Sequence, residues 1–356
     1  MVQFMRMDSQ KYRKDVRSKR APLFFLQLMT WSLLIVSTLY AAVLPEQIAV
    51  IVNTRDVNSV EIARYYQQKR KIPAANIIRV EFPVTNSMDR ASFSVLRNQV
   101  FLQTPENVQF YALAWTRPYR VVCMSITSAM TFGFDRSFCA SDCSSTERSA
   151  YFNSNSTAPF TDLRIRPAIM LAGSNVQQTK AMIDRGVQSD GTFPQGTAYL
   201  ISTTDVARNV RSGVYESVMA QLSNRIKIET IETNALSHKE DVLFYFTGKA
   251  EVEALETNRY LPGAITDHLT SSGGVLFGDD RQMSVLKWLD AGATASYGTV
   301  MEPCAFPQKF PHPGIVIERY TRGESLIEAY WKSVAWPGQG LFVGEPMAAP
   351  FAGSRH

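Results

Sequence analysis

The chain has 356 residues, 45% hydrophobic and 11% aromatic, enough to build a large core and too apolar for a disordered protein. Its formal charge of +5 sits in the first twenty residues, where seven bases (Arg6, Lys11, Arg13, Lys14, Arg17, Lys19, Arg20) meet two acids (Asp8, Asp15). The remainder is neutral, which argues against nucleic acid as a partner.

In chain order, the basic start is followed by an uncharged run from Ala21 to Leu44 and then Pro45-Glu46. This reads as an export signal, with an uncleaved membrane anchor as the alternative, over residues 1–44. The body is expected outside the cytoplasm, touching membrane only through that segment. Gln47–Val52 (QIAVIV) predicts a strand, capped by Ser59 or Asn58 into a helix that Ile72-Pro73 ends, and Ile77–Phe82 predicts the next strand. A β-α-β opening of this kind implies a parallel sheet. Arg120–Ile126 reads as another buried strand. Residues 130–165 form a long polar insertion carrying Cys139 and Cys143.

Further strands are predicted at Ala168–Leu171, Ala198–Ser202, Ile226–Ile231, Val242–Phe246, Ala293–Val300 and Leu341–Val343. Helices are predicted at Val176–Val187, Asp205–Leu222, Met283–Asp290 and Ser325–Val334. The alternation, with no repeat and no Pro/Gly linker, indicates one α/β domain over residues 45–356, a three-layer sandwich around a mostly parallel sheet.

Four groups near strand ends carry polar or reactive side chains: Asp267-His268, Asp279-Asp280, Glu302-Pro303-Cys304 and Gly344-Glu345-Pro346. Such ends are where α/β proteins place their sites. A nucleophilic thiol needs a base and an orienting group, so Cys304, His268 and Glu302 are the candidate catalytic set. The alternative is a packed or disulfide-bonded Cys304 at a turn, and Cys139 and Cys143 are close enough in sequence to pair locally. Cys123 ends an apolar run and is expected to be buried. The acids fit no metal-loop spacing and read as caps, with Asp280 before Met283–Asp290. Gly273-Gly274 and Gly278 match no phosphate loop and read as turn residues. No metal or cofactor is expected. His238 and His312 are expected at the surface, and Trp331, Trp336, Tyr330 and Phe342 in the core.

Ile51-Val52-Asn53, IARYYQQKRKIP (62–73), DHLTSSGG (267–274), GATASYGTVMEPC (292–304), KFP (309–311), EAYWKSV (328–334) and GLFVGEPMAAP (340–350) together resemble an uncharacterised exported bacterial family found alongside PEP-CTERM/exosortase sorting systems. That resemblance spans nearly the whole body and implies an extracytoplasmic location. The C-terminal order of strands and the closing Gly-Glu-Pro are also similar to the gingipain-like cysteine peptidases of caspase-like fold. In those peptidases one strand ends in Gly-His-Gly and a later one in the nucleophilic Cys. Here Lys249 stands in FTGKA (246–250), and the stretch from Gly273 to Asp280 carries no Cys. The resemblance therefore implies a caspase-like plan with both catalytic positions empty. The expected function is a non-catalytic binding or assembly protein with a protein or polysaccharide partner outside the cytoplasm. The alternative is a cysteine hydrolase using Cys304 and His268.

Overall fold

Runs that are apolar at every position make strands covered on both faces. In chain order the elements are β1 (Ile48–Asn53), α1 (Val57–Arg70), β2 (Ile77–Val80), β3 (Ser87–Met88), α2 (Arg90–Gln103), β4 (Phe110–Leu113), β5 (Arg120–Val121), β6 (Met124–Ser125), α3 (Ile126–Phe132), α4 (Pro159–Leu163), β7 (Ala168–Met170), α5 (Val176–Ser189) and β8 (Thr197–Ser202). They continue with α6 (Tyr215–Leu222), β9 (Lys227–Glu232), β10 (Val242–Thr247), β11 (Tyr260–His268), α7 (Leu286–Asp290), β12 (Ala295–Thr299), α8 (Pro313–Thr321), α9 (Leu326–Lys332) and β13 (Gly340–Gly344). The computed structural model describes residues 42–140, 143–278 and 282–353, all within one compact unit spanning 39–356. The export or anchor segment read from the sequence lies, up to residue 41, outside the described residues.

Ten strands form one sheet in the order β2-β1-β4-β7-β13-β12-β11-β10-β8-β9. β1 is parallel to β2 and β4, and β4 to β7. The run β12-β11-β10-β8-β9 is also parallel throughout, while β13 is antiparallel to β12. Helices cover the sheet, giving the α/β three-layer sandwich with a mostly parallel sheet. In one layer α1 and α5 lie side by side, joined by the Lys180–Glu61 ion pair and by Tyr65, whose hydroxyl donates to Asp184. α5 continues the layer toward α7, where Arg185 Nη2 donates to the carbonyls of Leu289 and Ala293 at 2.9 and 2.8 Å. α6, α8 and α9 pack together separately.

Several local expectations change. Arg120–Ile126 is a hairpin, β5 and β6, which joins β3 in a small second sheet. Val122 takes a left-handed φ of 52° there, and its neighbour Cys123 is half-buried and bonded to Cys139. A continuous strand would have turned those two residues into the ladder instead. The cap of α1 is Asp56, which accepts from Asn58 N at 3.0 Å, because the chain turns before Ser59. The Oγ of Ser59 instead accepts from Asn53 N. Asp205–Leu222 opens with a 3-10 turn, Asn209–Val214, before α6. The stretch from Gly273 is a turn, not a strand, and β11 occupies the place beside β10. Gly274 cannot carry a side chain, since a Cβ would lie 2.4 Å from Gly298 O. The paired glycines thus let DHLTSSGG lie backbone to backbone against β12.

The two ends of the fold are tied by charge. Glu345, fully buried just after β13, accepts from Tyr66 Oη at 2.7 Å and from Arg70 Nε at 3.1 Å, and pairs with Arg70 Nη2. Arg70 also pairs with Asp190, past the end of α5. Removing one member of a buried pair strands the other charge. Glu345→Leu is therefore expected to cost about 3–5 kcal/mol, read as a lower urea midpoint at unchanged slope. A loss under about 1 kcal/mol would show that the pair does not hold the fold together.

Candidate functional site

β11 delivers two side chains to opposite faces, as strand alternation requires. Asp267 and His268 are both fully buried. Asp267 forms an ion pair with Arg211. Arg211 is the partner the carboxylate has, by charge and by side-chain hydrogen bonding. Burial pushes the Asp267 carboxyl above its ordinary range, and the Arg211 guanidinium offsets part of that rise. Arg211 in turn donates to Thr247 O at 2.7 Å and to Pro311 O at 3.2 Å. It thereby staples β10 to the segment before α8.

On the other face, His268 Nε2 donates to Met283 O at 2.9 Å, and its Nδ1 accepts from Trp288 Nε1 at 2.9 Å. These partners fix a neutral Nε2–H tautomer. Burial lowers its pKa to about 4, and the Arg211 and Arg208 charges act in the same direction. Both ring nitrogens are spent on holding α7, and Met283 before it, against β11.

Cys304 is bonded to Cys143, and Cys123 to Cys139, so the described cysteines are all paired. The local Cys139–Cys143 pairing is replaced by two bridges that pin the polar insertion at separate points. Cys304 sits at a left-handed φ of 55°, and Glu302 Oε1 accepts from its backbone N at 2.8 Å. Cys304, His268 and Glu302, the candidate catalytic set, are each engaged by other partners. The sulfur is oxidised, the imidazole is enclosed, and the carboxylate braces a turn. Lys249, past the end of β10, pairs with Glu253 at 3.6 Å. His312 is half-buried at the start of α8, against its expected exposure, and burial lowers its pKa. Trp331 stacks on Phe342 in the core at 4.3 Å. Asp279 and Asp280 lie outside the described residues. Among the described residues no group of three or more His, Cys, Asp or Glu could hold a metal ion. No described helix is long and apolar enough to cross a membrane.

Open space lies against the connections that follow β10 and β11 and at the ends of β1, β4 and β7. One cavity of about 660 Å³ is lined by Glu251, Leu255, Leu276, Met283, Lys287 and Asp290, among others. A second, of about 160 Å³, lies at the C-terminal ends of β1, β4 and β7, against Asp56, Trp115, Arg117 and Asn175. β1 has β2 on one side and β4 on the other. The second cavity therefore occupies a topological switch point, where open α/β sheets bind ligands. Phe277 lines both cavities, and the Arg117 guanidinium covers its ring at 3.9 Å. Sequence reasoning missed this edge because β4 and the Trp115–Arg117 turn carry no motif. The signal present was a short apolar run, FYALA, followed by Trp-Thr-Arg.

Comparison with protein-family models, curated proteins and solved structures finds no match.

The buried His268 makes a pH prediction. A free histidine titrates near 6.5, whereas His268 in the fold titrates near 4. Its contribution to stability is complete above about pH 6.5 and declines as pH falls to about 4, because the unfolded chain takes the proton first. The stability lost over that window is about 3 kcal/mol. Denaturant titrations of the wild type and His268→Gln from pH 7.5 to 4 should show their difference shrinking by that order. A constant difference would mean the imidazole is not held neutral.

Proposed function

We propose that the protein is a non-catalytic, exported binding or assembly protein that uses the C-terminal edge of its sheet as a cleft. The carrying observation is the Cys143–Cys304 bond, which leaves no thiol where hydrolase chemistry would need one. The enclosed His268 supports the same reading. Two disulfides fit an oxidising compartment outside the cytoplasm, in line with the basic and then uncharged N-terminal sequence. They also suit membership of the exported family that the C-terminal motifs resemble, and a caspase-like scaffold without its catalytic pair.

The cleft is of the size that ligand sites occupy. Its larger lobe mixes apolar Leu255, Leu276 and Met283 with Glu251, Lys287 and Asp290. That lining suits a protein or polysaccharide partner that presents both apolar and polar groups. No cofactor or nucleic acid enters this reading.

Oxidised protein and its Cys304→Ser variant, offered fluorogenic peptides and esters, should both show only background turnover. Turnover in the wild type that disappears in Cys304→Ser would reject the binding-protein reading and restore the hydrolase. Cys304→Ser should also lower stability by about 2–5 kcal/mol, since the bridge closes a long loop; this is measured by guanidinium unfolding without reductant.

A further inference from the structure

Among the described residues, buried arginines follow a rule with one exception. Arg70, Arg166, Arg211 and Arg319 are each less than one-tenth exposed. Arg70 pairs with Glu345 and Asp190, Arg211 with Asp267, and Arg319 with Glu324. Arg166, 5% exposed, has no carboxylate partner among the described residues. Its Nε donates to Val108 O at 2.9 Å, and its Nη1 reaches Tyr111 Oη at 3.5 Å. The face of the guanidinium lies 3.2 Å from the centre of the Phe160 ring. No acceptor for Nη2 is found among the described residues. Glu106 acts on Arg166 through charge alone and forms no ion pair with it.

Two more arginines share its surroundings. Arg97, Arg164 and Arg166 line one small cavity with Phe101, Tyr111 and Thr131. Arg97 and Arg164 have no ion pair among the described residues either, and Arg97 Nε is buried without a hydrogen-bond partner. Three arginines line the cavity, with Arg166 buried, Arg97 half-buried and Arg164 exposed, and no Asp or Glu lines it. A buried cation left without a counter-charge is costly, and desolvation accordingly lowers the Arg166 pKa. The cavity lies at the N-terminal ends of β4 and β7, away from the C-terminal cleft. Its volume of about 30 Å³ suits a few water-sized atoms, and so excludes a whole sugar or nucleotide.

We propose that the Arg97–Arg164–Arg166 cavity is a second binding site, which takes one compact oxyanion: a carboxylate, sulfate or phosphate group. Guanidinium forks match such groups in charge and geometry, while Tyr111 Oη accepts from Arg166 and gives its own proton to Thr104 Oγ1. The oxyanion supplies the counter-charge that Glu345, Asp267 and Glu324 supply to the other buried arginines. This proposal is independent of the cleft and of whether the protein is catalytic.

The test is thermal unfolding of the full chain, titrated with inorganic phosphate, sulfate or acetate at constant ionic strength, with chloride as control. A saturable rise in Tm above chloride is expected for at least one of them. Arg166→Met should weaken the fitted affinity about tenfold or more. Arg97→Gln provides the second variant, because its Nε makes no hydrogen bond in the fold, and the same loss is expected. A phosphate monoester separates the sources: matching inorganic phosphate identifies a head-group site, and failing to match identifies a free-ion site. No anion-specific rise in the wild type, or an unchanged rise in Arg97→Gln, would overturn the proposal.

Discussion

The Arg70–Glu345 pair is the contact on which the remaining geometry rests. It joins the first crossover helix to the residue after the last strand, 275 positions apart in sequence. Tyr66 and Asp190 complete it, so α1, the end of α5 and the end of β13 meet at one buried charge. Gly186 makes room: a Cβ there would lie 2.5 Å from a Glu345 oxygen. Interiors this dense leave no slack for a missing partner. The position of β13, and through it of β12 and β11, follows from the same knot.

A common physical theme runs through the residues that look chemical. Asp267, His268, Glu302, Cys304 and Glu345 are all spent on holding chain segments together. Arg211 bridges β10 to Pro311, and His268 holds Trp288 of α7 and Met283 before it. The disulfide from Cys304 anchors the long insertion. Polar groups buried in this way need partners, and once partnered they no longer face a substrate. What remains open is space lined by Phe277, Trp115, Arg117 and Lys287 together with the carboxylates Asp56, Glu251 and Asp290.

The insertion after α3 gains order from the same economy of contacts. Two bridges hold it, Ser149 N donates to Ala335 O, and Tyr151 is fully buried against the body. Arg319 Nη2 donates to the backbone and side-chain oxygens of Asn153 at 3.1 and 2.9 Å. A polar stretch that looks like a surface excursion in sequence thereby covers α8 and α9.

Apolar runs such as IAVIVN and VLFYFT, alternating with amphipathic stretches, determined by themselves the α/β class, the three layers and most strand positions. Burial on both faces needs uninterrupted hydrophobicity, and that pattern is local. The hairpin at Val122, the nine-residue β11 and the role of FYAL as β4 depended on partners far along the chain. Their patterns are short or ambiguous without those partners. The same holds for the site. Sequence could show that Cys304, His268 and Glu302 are capable of chemistry. Only the tertiary structure decided that the thiol finds Cys143, that the imidazole is enclosed by Trp288, and that Arg166 lacks the carboxylate its buried counterparts have. Pairing and burial are set by which distant segments meet, and no local spacing encodes that.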